Sequence, residues 1–367
     1  MRDLSPHYSG GWIEGTDDSR HGRFDVHWGR PANWDDIILQ GRFLFVSTPF
    51  YKFPNETMKH NQDTSSYDLE RLGADELPIV SFTPAVPRPI YSASYTQWGE
   101  QSALRFFRVA WRKMADNVGQ RTLMPAIIPP GAAHVDGIYS LGLPTRPARE
   151  LVAVQGYVSS LVADFCVRVA PKANIRSATV DQLPVRIDGP LLPELLLRTL
   201  RLNCLTFTYA DLWECCFEES FRSDCWAAPK TTMGLPLLAE VGRNWSSQIP
   251  LRRAVERRQA QLEIDVIVAL ELDVKIEELI SLYRTQFPVL AKFDRTKYIY
   301  DVAGRLVPTS VLATWRRKGS RITAEERSAT NQAGNAYTYE LPFVTLDREA
   351  DMREAYAVFE QRLRERS

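Results

Sequence analysis

The sequence predicts an α+β protein, and three observations carry that expectation. Short runs of strand-forming residues, bounded by Gly, Pro, Asn and Asp, fill the chain before Pro147. From Ala148 to Phe287 apolar residues recur at helical spacing. A charged helical stretch, Arg348 to Arg366, closes the chain. The expected organisation is an irregular N-terminal segment (1–35), a β-rich domain carrying one long helix (36–190), a helical domain (191–300) and a C-terminal tail with a terminal helix (301–367).

Taken in order, residues 1–35 offer only Trp12, Trp28 and Trp34 as large anchors. Asp36 to Ser47 is the first clear strand signal, two apolar runs split by Gln40-Gly41-Arg42 as a turn or bulge. The loop that follows carries Lys52, Asn55, Lys59, His60, Asn61 and Gln62. Amides and cations are what base-edge and phosphate contacts require, and they are equally the composition of any exposed loop. Tyr67 to Leu72 reads as a helical turn, and the four prolines from Pro78 to Pro89 as an extended connector. Tyr95 and Trp98 lead into a helix expected from about Glu100, with Leu104, Phe107, Trp111 and Met114 on its apolar face. Arg105, Arg108 and Arg112 would line the neighbouring face, with Lys113 and Arg121 close by. Such a stripe suits phosphate, but it is also how the solvated side of an amphipathic helix looks.

The helix should end near Gly119. Leu123 to Ile128 then reads as a buried strand, Pro129-Pro130-Gly131 as a turn, and His134 to Leu141 as the next strand. Ala148 to Val169 reads as a single long helix with Leu151, Val154, Val158, Leu161 and Phe165 on one face. Leu195 to Phe217, Pro250 to Leu272 and Ile276 to Phe287 follow as helices, the last stopped by Pro288. The terminal helix is charged enough to lie on the solvated surface.

Composition excludes more than it selects. Hydrophobic content of 44% and charged content of 25% are those of an ordinary globular protein. Forty-five basic residues cancel forty-five acidic ones, so an affinity for nucleic acid must come from local patches. The cysteines are Cys166, Cys204, Cys215, Cys216 and Cys225: an odd number, with no Cys-x-x-Cys, which indicates neither a disulfide framework nor a zinc site. Met1 to Gly11 is polar and no apolar run approaches the ~20 residues of a membrane span, so a cytoplasmic protein with no membrane partner is expected.

Several blocks resemble one family. RFFRVAWRKMADNVGQRTLMPAIIPPGAAH (105–134) and DIILQGRFLFVSTPFYKFPNETMKHNQD (36–63) are similar to the target-recognition region of large adenine-specific DNA methyltransferases. Those are the single-chain enzymes of type IIG-like restriction–modification and of BREX- or DISARM-like phage defence. The run YRTQFPVL (283–290), then Tyr300-Asp301, Gly304-Arg305 and YTYELPFVTLDREADMR (337–353), is similar to their C-terminal end, so the likeness spans about Asp35 to Arg353 in family order. It implies that 36–190 is a DNA target-recognition domain with double-stranded DNA as partner. Phosphate contacts would come from Arg105, Arg108, Arg112, Lys113 and Arg121. Base reading would come from Lys52, Asn55, Lys59, His60, Asn61 and Gln62, and from Tyr95 and Trp98.

The catalytic parts of that family do not occur. An amino-methylating enzyme needs an [Asp/Asn/Ser]-Pro-Pro-[Tyr/Phe] loop around the flipped base, whereas Pro129-Pro130 lies between Ile128 and Gly131. No glycine-rich turn follows a strand to cradle S-adenosylmethionine, no Glu-x-Lys marks a nuclease, and no Walker loop is present. The pairs His134/Asp136 and His27/Asp25 lie two positions apart, and two such pairs are unsurprising by chance in a chain of this length, so they mark no acid–base site. The expectation is therefore a non-catalytic recognition chain with no cofactor of its own, S-adenosylmethionine belonging to a methyltransferase catalytic domain or subunit. The competing class is a protein-interaction module of a defence complex that does not touch DNA.

Overall fold

Residue pairing along the chain's centre decides the architecture. Arg108–Arg112 is a strand, not part of a helix, and pairs antiparallel with Pro125–Ile128 on one side and Ile138–Gly142 on the other. Val109 and Trp111 face one apolar cluster while Ala110 faces another, so both faces of the strand are covered. The spacing of Leu104, Phe107, Trp111 and Met114 that reads as a helix is overruled by the two-residue period of 107, 109 and 111. The computed structural model describes residues 1–17, 20–60, 62–170, 173–227 and 235–366.

The expected mixed α+β class is observed. The four-stranded sheet runs in the order His7–Ser9, Ile138–Gly142, Arg108–Arg112, Pro125–Ile128. Its edge strand comes from the segment expected to be irregular, which also supplies Phe24–Gly29, paired with Val80–Pro84. Trp12 is buried there and bridges to Val135. Gly11, at φ +73°, permits the approach, since a Cβ would lie 2.2 Å from the His134 carbonyl oxygen.

The long helix expected over 148–169 is two helices, Ala148–Val158 and Leu161–Arg168, bent by 64°. Ser160 makes the corner: its Oγ accepts from the Ala163 N–H at 3.2 Å and donates to the Tyr157 carbonyl at 2.7 Å. Buried Arg121 fixes it from outside, donating to Asp164 at 2.5 Å and to the Ser159 carbonyl at 2.6 Å. No single described helix is long and apolar enough to cross a membrane.

The helical part packs around Ala254–Glu271, which is buried along most of its length. Leu192–Asn203, Ala210–Cys216 and Ile276–Gln286 lie against the same core. Pro288 follows the end of Ile276–Gln286, as expected. It opens a further helix, Pro288–Thr296, at the first turn where a missing N–H costs nothing. The terminal helix Arg348–Arg366 is likewise no solvated appendage: Met352, Ala355 and Phe359 are fully buried in the main core. The tail also returns to the β part, where Asp68 accepts hydrogen bonds from Asn331, Asn335 and Tyr337.

Candidate nucleic-acid interface

The three arginines expected in one stripe have separate fates. Arg105 ends a short 3-10 turn and is exposed. Arg108 has no exposure, and its guanidinium donates to the backbone carbonyls of Phe106 and Ala132, so it holds the strand and cannot reach a phosphate. Arg112 is half-buried, donates to the Leu44 carbonyl at 2.8 Å, and lies over the rings of Phe45 and Tyr51. Lys113 is held by Asp136 at 2.5 Å, and Arg121 is spent on Asp164.

The expected reading residues divide similarly. Tyr95 and Trp98 are core side chains at 3% and 7% exposure, Trp98 donating to the Tyr8 carbonyl, and neither can meet a base. Lys52–Pro54 and Thr64–Ser66 form a hairpin whose tip carries Lys59, His60 and Gln62, all exposed. Asn55 is a strut of that tip, with Nδ2 donating to Asp63 and Oδ1 accepting from Ser65, both at 2.7 Å. Asp63 also accepts from Thr57 and the Lys59 N–H, and these hydrogen bonds hold its carboxyl down to about 2. Asn61 lies outside the described residues.

What the fold does assemble is a different cationic group. Lys52 is held below its ordinary value first by burial and then by repulsion from Arg112 and Arg42. Arg112 is lowered by burial, against the pull of Tyr51 and Asp116, and Arg42 is lowered by burial against the pull of Glu14. Phe45 and Tyr51 stack at 4.8 Å and 24°, with the Arg112 guanidinium 5.5 Å and the Lys52 ammonium 5.4 Å from the Tyr51 ring. Among the described residues none of the three cations has a carboxylate within ion-pair distance. Two aromatic rings beneath Arg112, one of them shared with Lys52, and a third half-buried cation, Arg42, that repels both form a site that an anion would relieve. Of these residues the sequence reading singled out Lys52 and Arg112. Arg42 lies in an expected turn and Phe45 in an expected strand, and nothing in the local pattern marks their convergence.

His134, one half of a sequence-neighbour pair, is wholly buried, with Nε2 2.8 Å from Ser140 Oγ, while Asp136 is taken by Lys113. No group of three or more His, Cys, Asp or Glu residues that could hold a metal ion occurs among the described residues. No protein-family model matches the chain, and no curated protein matches it.

Proposed function

We propose that the chain binds duplex DNA for an adenine-specific DNA methyltransferase of a restriction–modification or phage-defence system, with catalysis and S-adenosylmethionine on a partner domain or subunit. The observation that carries the DNA contact is Lys52 and Arg112 on the Phe45–Tyr51 stack with Arg42 near enough to repel both, beside a hairpin whose tip exposes Lys59, His60 and Gln62. The methyltransferase context rests on the sequence resemblance. Arg42→Gln and Lys52→Gln are expected to weaken binding to every duplex sequence alike. Each lost phosphate contact flattens the log–log salt slope by ~0.9. Binding titrations across a salt series measure this, and a slope unchanged in the double variant defeats the assignment.

A second reading, a module that docks on a protein partner, has its own observation. Met114, Val118 and Val169 are 74%, 85% and 53% exposed. They lie on two segments joined by the Ala115 N–H to the Ala173 carbonyl and by Arg168 to the Gly119 carbonyl. Met114→Lys with Val118→Asp should weaken co-purification with the catalytic subunit, and assembly unchanged in the double variant defeats this reading.

A further inference from the structure

Where the β-rich part meets the helical part, a cavity of about 290 Å³ opens. Phe45 and Tyr51 wall it from the hairpin side, Arg258 and Gln261 from the helix Ala254–Glu271, and Tyr298 and Tyr300 from beyond Pro288–Thr296. That volume is near the lower end of the roughly 300–1,000 Å³ of small-molecule sites, which favour such junctions.

Most polar groups around the cavity are already engaged. Arg257 donates to the carbonyls of Leu202, Leu251 and Ser47, Arg121 is paired with Asp164, and Arg348 with Asp294. Two buried ones are not fully so. Arg258 uses Nη1 on Asp351, and its buried Nη2 has no hydrogen-bond partner among the described residues. Gln261 donates Nε2 to the Ser159 carbonyl, and its buried Oε1 has none either. Three residues apart on one helix, 258 and 261 share a face. Both residues line the cavity, so one helix face brings it an unpaired donor and an unpaired acceptor.

That pairing selects among ligands. An apolar molecule would leave both groups unsatisfied, and a carboxylate would suit Arg258 but repel the Gln261 oxygen. A planar heterocycle with a neighbouring acceptor and donor answers both, as the hydrogen-bonding edge of a nucleobase does, and aromatic walls supply stacking. The Phe45 and Tyr51 rings of the wall are the same rings that carry Lys52 and Arg112, so cations for a phosphate stand at the cavity's rim. We infer that the cavity is a nucleotide pocket, its base held by Arg258 and Gln261 between aromatic rings and its phosphate by Lys52 and Arg112. The nucleotide is either free or one unit of a nucleic-acid strand.

The inference shares its phosphate-binding cations with the DNA reading, so the test must separate the two. Calorimetry of the full chain with AMP, GMP, CMP and dTMP is run beside binding of oligonucleotides carrying 2-aminopurine. Arg258→Gln probes the base edge; because Arg258 also ties the helix to Asp351, a second variant, Leu306→Trp, fills the cavity from a wall position that is 38% exposed. Saturable mononucleotide binding, weakened roughly tenfold or more in both variants, establishes a site for free nucleotide. If mononucleotides fail but the 2-aminopurine signal changes in a way that Leu306→Trp abolishes, the source is a strand. If duplexes bind and neither signal occurs, the pocket is overturned while the DNA reading stands. Mononucleotide binding without duplex binding leaves the pocket and removes the DNA reading. Binding indifferent to Leu306→Trp overturns the pocket, and no binding of any probe overturns both.

Discussion

Arg198 is completely buried, with Glu263 at 2.6 Å and Asp224 at 2.5 Å, and Arg348 holds Asp294 at 2.6 Å from the terminal helix. A buried pair of this kind is costly to break, because removing one partner strands the other charge. These arginines serve the core rather than a ligand, unlike the cations at Arg42, Lys52 and Arg112, which have no carboxylate in ion-pair reach among the described residues. Two other buried groups set opposite acid responses. Burial, helped by Arg108, pushes His134 from 6.5 down to about 3. The folded state thus favours the neutral ring, a contribution whole above 6.5 that is lost as pH falls toward 3, by about 1.4 kcal/mol per pH unit. Burial pushes Asp265 from 3.8 up to about 6, against the pull of Arg121 and Arg348, so its contribution is whole below 3.8 and is lost as pH rises through 6. Acidification from about pH 7 to about pH 5 costs stability at His134 and returns some at Asp265. Relative to the parent, His134→Gln should gain stability over that interval and Asp265→Asn should lose it. Denaturant unfolding at the two pH values measures both, and parallel responses in all three proteins would defeat the assignment.

At the scale of elements, close approach outweighs propensity. Gly156 lies inside Ala148–Val158, where alanine would ordinarily add about 1 kcal/mol. A Cβ there would stand 2.8 Å from Leu195 Cγ and 2.8 Å from Thr199 Oγ1 on the facing helix. Overpacking costs about 1–3 kcal/mol, so Gly156→Ala is expected to destabilise by about 1 kcal/mol, and a measured gain would show that the helices can part. The same conflict governs what was legible in the sequence. Helices with long apolar periods, Ala254–Glu271 and Ile276–Gln286, fall where their spacing puts them, whereas the stretch expected over Leu195 to Phe217 is broken between Leu192–Asn203 and Ala210–Cys216. RFFRVAWR fits helical and strand periods equally well over its short length, and only partners distant in sequence, Pro125–Ile128 and Ile138–Gly142, decide for strand. The corner at Ser159-Ser160 rests partly on the local hydrogen bonds of Ser160 and partly on Arg121 and Asp164, 43 positions apart, and the apolar period running through it shows neither. Of the candidate site, the exposed hairpin tip could be read from composition. The cavity could not, because its walls come from segments far apart in the chain.

For the whole molecule, the question is whether the tail is a separate unit or a wall of the main core. Phe359 has no exposure and lies under the guanidiniums of Arg198 at 5.1 Å and Arg362 at 4.9 Å. Arg362 in turn donates to Asp224 at 2.8 Å, and Arg258, on the helix that walls the cavity, donates to Asp351 at 2.7 Å. The terminal helix therefore closes the same core that positions Arg257, Arg258 and Gln261, and loosening it should be felt there. Truncating a buried phenylalanine costs about 3–5 kcal/mol, a large part of the roughly 5–15 kcal/mol that holds a typical protein folded. Phe359→Ala is thus expected to shift the unfolding of the helical core as one cooperative step. Circular dichroism and tryptophan fluorescence, which samples Trp213 in that core and Trp111 against the sheet, should move together. A variant whose main transition stays in place while a small early one appears would mean that residues 348–366 detach without consequence, and the tail would then be an appendage rather than a wall.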